Sequence, residues 1–191
     1  MAERFDDETW AWLHEIRLRG TMRVGDEPRI DELVEAGYLL RRGPIVAVTQ
    51  IGKDADADRL RLDPDSEEFG HCRRAYERFL RLDKQVKDLT TQWQLSTSQA
   101  SDTYGPEEWD LVDRLAAVDE KAGPIVAELG RAVPRFCEYR HRLRKALEQL
   151  QGGDRQWFCG VKCDSYHTVW WHLHEDLLLA LGIARSEDPN Q

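Results

Sequence analysis

Three histidines, His167, His172 and His174, lie close together near the end of the chain, within the stretch Asp164 to Ile183. The same stretch holds Tyr166, Trp170, Trp171, Glu175 and Asp176. An imidazole titrates near neutral pH and is the commonest general acid or base, and a neighbouring carboxylate can orient it. On a helix, the seven-residue step from His167 to His174 is about 10 Å along the axis. That is too far for one metal ion but suits the two ends of a small ligand. His167 and His174, with Asp164 or Asp176 as orienter, are therefore the candidates for acid/base chemistry. Tyr166, Trp170 and Trp171, joined by Trp93 and Trp157 if their helices converge, could wall an aromatic ligand pocket. The alternative is a set of histidines hydrogen-bonded within an aromatic core.

Other constellations are weaker. His172 and His174 point roughly 200° apart on a helix, so they cannot share an ion. His172 and Asp176, four apart, are expected to pair on the outer face. Cys159, Cys163 and His167 are zinc-type donors, but their spacing is not Cys-x2-Cys and Gly160 breaks the helix between them. No metal is favoured, and buried free thiols are the alternative. Arg131, Arg135, Arg140, Arg142, Arg144 and Lys145 form the most basic stretch. It could meet a phosphate, a carboxylate ligand or an acidic partner, with Arg135 the ligand-binding candidate, or it could be a solvated helix face. No Walker lysine, Gly-x-Gly-x-x-Gly or Gly-x-Ser-x-Gly motif is present, so no cofactor is expected.

The elements that must position these groups follow from pattern. The chain has 191 residues, 41% hydrophobic and 33% charged, as a helix-rich protein of one sizeable or two small domains would. No apolar run approaches the roughly 20 residues that span a bilayer, and the first residues lack a signal-peptide pattern. A cytoplasmic location and four reduced cysteines are expected. The net charge of −9 disfavours non-specific attraction to nucleic acid or anionic membrane.

Apolar periodicity and punctuation predict helices over 6–19, 28–36 and 51–60, with a β-hairpin around Gly43-Pro44 between the last two. An acidic connector over 61–70 divides a domain 1–62 from a helical domain 63–185, and 186–191 read as a polar tail. Residues 66–95 predict a long helix with Phe69, Cys72, Tyr76, Phe79, Leu82, Val86, Leu89 and Trp93 along one line. A loop over 96–105 follows. Pro106 opens a helix that Gly123-Pro124 interrupts and Ile125 to Leu129 resumes. A helix from Pro134 to Leu150 and a short turn bearing Trp157 and Phe158 come next. The last helix starts at Ser165 or Asp164, stops at Gly182, and buries Tyr166, Trp170, Leu173, Leu177 and Leu181.

The run Ile30-Asp31-Glu32-Leu33-Val34-Glu35-Ala36-Gly37-Tyr38, two wing-like strands and then Val48-Thr49-Gln50-Ile51-Gly52 resemble the end of a winged-helix domain of the MarR/PadR type of bacterial regulator. More narrowly, the chain resembles an actinobacterial group of winged-helix proteins, some fused to domains like those of pyruvate phosphate dikinase. Leu13 to Gly20 would match that group's first helix, and Ser165 to Trp170 with His174 to Leu177 its C-terminal signature. The resemblance implies a homodimer through long helices and a transcription-regulator ancestry. It departs at one place. A DNA-reading helix-turn-helix takes about 25–30 residues before the wing, and Thr21 to Gly37 has room for one helix. That helix is acidic, so Arg41 and Arg42 in the wing are the phosphate candidates nearby.

The expected fold is mainly α: a small winged-helix-like N-terminal domain of three helices and a β-hairpin, followed by a C-terminal helical bundle. The first functional expectation is a regulator-like protein that binds a small organic ligand in the bundle, with DNA binding weakened or lost. The alternative is a small-metabolite enzyme of specialised metabolism on the same pocket. A third is an interaction module for a partner enzyme.

Overall fold

The computed structural model describes residues 5–96 and 104–190. It is mainly helical, with one small three-stranded antiparallel sheet. The chain divides into two compact units, Met1–Arg61 and Leu62–Gln191. The loop expected over 96–105 falls mostly outside the described residues. Among the described residues no helix is long and apolar enough to cross a membrane.

The first unit runs α1 (Asp7–Arg19), β1 (Thr21–Arg23), α2 (Pro28–Glu35), β2 (Leu39–Arg42), β3 (Ile45–Val48) and α3 (Gln50–Leu60). Asp6 caps α1 by accepting from the Thr9 amide at 2.7 Å, and Asp7 and Glu8 complement the positive end of the helix. The hairpin turns at Gly43, whose φ of 58° suits the first loop position of a two-residue connection. The sheet order is β1-β3-β2. Strand β1 was not expected from sequence. It is three residues long and has no buried residue, so it carries no hydrophobic alternation to read. Leu39 and Val46 point inward to join Trp10, Leu13, Ile16, Ile30 and Leu33 in the core.

The second unit is built on α4 (Glu67–Ser96), α5 (Pro106–Ala132), α6 (Cys137–Gln151), the short α7 (Gln156–Cys159) and α8 (Tyr166–Leu181). Helix α5 packs on α4 and α6, and α8 packs on the same two helices. The apolar line of α4 is consumed in this core, from Cys72 through Trp93. Three expectations are corrected here. Gly123-Pro124 does not interrupt α5, which is continuous. The ring of Pro124 deprives only the Glu120 carbonyl of its partner, and both residues are exposed, so water can serve instead. The segment after α8 is not a free polar tail: it makes a 3-10 turn at Arg185–Glu187 and buries Asp188. His172 and Asp176 do not lie on an outer face, for both are buried. Helix α8 is flanked by α4, α6 and α7 and so has little outer face to offer.

Candidate functional site

Ser165 fixes the start of α8. Its hydroxyl accepts from the Thr168 amide at 3.3 Å and donates to the Thr168 hydroxyl at 2.9 Å. Gly182 ends the helix with φ 63°, a conformation glycine adopts without strain. Between these caps, the polar side chains of α8 reach α4, α5, α6 and the turn before α6. The Tyr166 hydroxyl donates to Asp119 of α5 at 3.2 Å, and Arg140 of α6 reaches the same carboxylate at 2.8 Å. His172 lies 3.1 Å from Arg142, which also donates to Asp164 at 3.1 Å. Asp176 accepts from Arg135 at 2.8 Å and from the Tyr139 hydroxyl at 3.3 Å. Arg140 and Arg142 of α6 and Arg135 of the 3-10 turn before it thus each meet a carboxylate, which offsets the cost of burying Asp119 and Asp176.

The fourth meeting point is different. Asp83 of α4 is 1% exposed. One carboxylate oxygen accepts from the indole N–H of Trp170 at 2.9 Å and lies 3.6 Å from His174 Nδ1. The other lies 3.1 Å from the Lys87 ammonium and 3.2 Å from the side-chain nitrogen of Asn190. On the far side of the imidazole, His174 Nε2 lies 3.2 Å from Asp188. Neither atom of that last contact is in an aligned hydrogen bond. The other oxygen of Asp188 accepts from the Tyr76 hydroxyl at 2.9 Å. Phe79 stacks on Trp170 with ring centroids 4.6 Å apart, and Tyr166 also stacks with Trp170, at 6.1 Å. His174 therefore sits between two carboxylates in an aromatic box, and among the described residues no arginine is hydrogen-bonded to either acid.

Burial lowers the pKa of His174, against the opposing pull of Asp83 and Asp188, with Lys87 and Arg185 adding to the lowering. Burial also lowers that of His167, which feels Asp83 and Lys87 in opposite senses. Tyr76 is pushed upward, first by burial and then by its bond to Asp188. The cluster is thus poised with neutral imidazoles, an intact phenol and a carboxylate–ammonium pair.

The structure gathers some of the expected site residues and separates others. His167 and His174 both sense Asp83, and Tyr166 and Trp170 share one stack. Trp93 belongs to another stack, on Phe158 at 4.4 Å. Trp157 is half-buried and donates to Asp154 at 3.1 Å. Trp171 is 36% exposed, under the Arg185 guanidinium. Arg135 serves Asp176, and Asp164 serves Arg142. Cys163 donates to the Gln156 carbonyl at 3.4 Å, and burial raises both the Cys159 and Cys163 thiols. Among the described residues no group of three His, Cys, Asp or Glu side chains is arranged to hold a metal ion. In the first unit Arg41 is held by Asp31 and by the Gly25 carbonyl, and Arg42 is exposed. Two surface clefts lie on the α4–α5 face. One, about 650 Å³, is bordered by Gln92, Leu95, Leu111 and Arg114, and the other, about 300 Å³, by Gln85, Leu89, Val118 and Lys121. Neither borders the histidines.

Sequence reasoning missed Asp83, Lys87, Tyr76, Asp188 and Asn190 as site residues. The signal for Asp83 was available. It stands four residues after Phe79 and three before Val86, a carboxylate on the buried line of α4. Asp188 and Asn190 gave no such signal, because a short polar segment after a glycine stop has no periodicity. Comparison of the chain with protein-family models, with curated proteins and with solved structures finds no match.

Proposed function

We propose that this chain is a winged-helix-derived, regulator-like protein that binds a small organic ligand in its helical unit and has lost most affinity for DNA. The observation that carries the ligand reading is the Asp83–His174–Asp188 cluster. Burying two carboxylates beside a neutral imidazole is a poor way to fill a core, since buried charge needs close pairing to offset its desolvation. The other buried acids of α5 and α8 obtain an arginine each. This pair is instead completed by a segment that follows the last helix. Ionisable groups with shifted titration, gathered in an aromatic setting, are a usual feature of binding sites.

The element order of the first unit, α1-β1-α2-β2-β3-α3 with a three-stranded antiparallel sheet, supports the winged-helix ancestry. Its surface argues against DNA reading. Helix α2 exposes Asp31, Glu32 and Glu35. Arg29 lies beside Asp6, Glu8 and Glu27, and Arg41 is held by Asp31. Phosphates need free cations to position a reader, and here the nearby acids compete for them.

A second reading, an acid/base enzyme on the same cluster, is favoured by the clamping of His174 between two carboxylates, which would fix its tautomer. It requires the imidazole, now 2% exposed, to become accessible to a substrate. A melting-temperature screen against a small-metabolite library, run beside a titration of labelled duplex DNA at low salt, tests the main reading. We expect at least one metabolite to raise the melting temperature, and duplex DNA to give no saturable binding. The absence of any stabilising metabolite would sink the ligand reading, and saturable DNA binding would sink the loss of DNA affinity.

A further inference from the structure

We propose that the segment Asp188-Pro189-Asn190 is a built-in occupant of the ligand site, and that the ligand is a small peptide-like molecule bearing a carboxylate and a primary carboxamide. The inference rests on the ligand-binding reading above and specifies its chemistry. The segment touches the helical unit as a ligand would. The Asn190 side-chain nitrogen donates to the Leu80 carbonyl at 2.7 Å and to Asp83 at 3.2 Å, a fork of two acceptors that asks for a nitrogen carrying two hydrogens. The Asn190 main-chain carbonyl accepts from the Lys87 ammonium. The Asp188 carboxylate accepts from Tyr76 at 2.9 Å and faces His174 Nε2 at 3.2 Å.

The fit is incomplete in one respect that points to a different preferred guest. His174 Nε2 and the facing Asp188 oxygen are both buried and neither is in an aligned hydrogen bond. A buried polar atom left without a good partner costs free energy that a better-placed carboxylate would recover. The helices supply the receiving half of the site: Tyr76, the Leu80 carbonyl, Asp83 and Lys87 on α4, and His174 on α8. The segment supplies the other half, so it can be displaced without dismantling the helix packing. Its own anchoring within the helical unit is two polar residues and the 3-10 turn before them.

The test is calorimetric titration with the tripeptide acetyl-Asp-Pro-Asn-amide, which carries the segment's own groups. Three proteins are compared: the wild type, the double variant Asp188→Ala/Asn190→Ala, and that double variant with Lys87→Met added. Lys87 is partly exposed, so its replacement removes no buried apolar group, and circular dichroism checks that each protein is folded. The double variant should bind the tripeptide at least tenfold more tightly than the wild type, whose site is already filled. Adding Lys87→Met should weaken that binding severalfold. Equal binding by the wild type and the double variant, or no binding by either, overturns the proposal. If the metabolite screen succeeds while the double variant refuses the tripeptide, this proposal falls and the ligand-binding reading stands. If both fail, both fall.

Discussion

At the scale of single residues, Asp83 holds the cluster together. Its two oxygens serve the Trp170 indole, the Lys87 ammonium and the Asn190 amide, all from a position 1% exposed. Replacing it with alanine strands a buried indole N–H and removes the counter-charge of Lys87. Asp83→Ala should lower unfolding free energy by about 3 kcal/mol in urea titrations, a magnitude expected when one partner of a buried network is lost. His174 makes the second prediction. Its folded-state pKa lies below the ordinary 6.5 because burial outweighs the pull of Asp83 and Asp188, with Lys87 and Arg185 on the same side as burial. The unfolded chain therefore takes up the proton first. The stabilisation held by neutral His174 is complete above pH 6.5 and declines as pH falls through that value towards the lower folded-state pKa. His167 adds a contribution of the same sign. The urea midpoint should fall between about pH 7 and pH 5.5, and His174→Gln should fall less over the same interval. An identical decline in the variant would remove His174 as the source.

At the scale of elements, the sequence was readable wherever local chemistry and tertiary packing agree. The Thr49-Gln50-Ile51-Gly52 string shows why. The Thr49 hydroxyl accepts from the Gly52 amide at 3.1 Å and donates to the Gly37 carbonyl at 2.7 Å. A Cβ on Gly52 would collide with the Tyr38 carbonyl. The motif is a joint between the turn after α2 and the start of α3, and its spacing is dictated by that joint. Gly52→Ala should destabilise by about 1–3 kcal/mol, the usual cost of forcing an atom into a filled site. An unchanged thermal midpoint would contradict the packing described. The caps of α8 and the buried line of α4 were legible for the same reason. What misled was punctuation without context. Gly123-Pro124 reads as a break, yet the helix continues: Glu120 and Pro124 are exposed, so water can serve the freed carbonyl, and Gly123 leaves room for the Arg140 guanidinium to pass against α5. The pairing of Arg140, Arg142 and Arg135 with Asp119, Asp164 and Asp176 was not legible either, since ion pairs between elements distant in the chain leave no local spacing in the sequence.

At the scale of the whole molecule, an acidic chain with a net charge of −9 combines two units of different character. The first keeps a small sheet and three helices, and Arg17, Arg19, Arg29, Arg41 and Arg59 are each paired with an acid of the same unit. The second devotes its α8 interface to polar meetings, one of which is completed from outside the helices. The histidine seam was visible from sequence. Its partners were not, because Asp83 is distant in the chain and Asp188 lies in a stretch without pattern. The measurement that bears most directly on the central claim is native mass spectrometry of the double variant Asp188→Ala/Asn190→Ala, purified from cells beside the wild type and beside a denatured run of each. The released variant should carry a mass excess of small-molecule size that vanishes on denaturation, and the wild type little or none. A clean apo mass for both proteins would contradict a ligand site at Asp83.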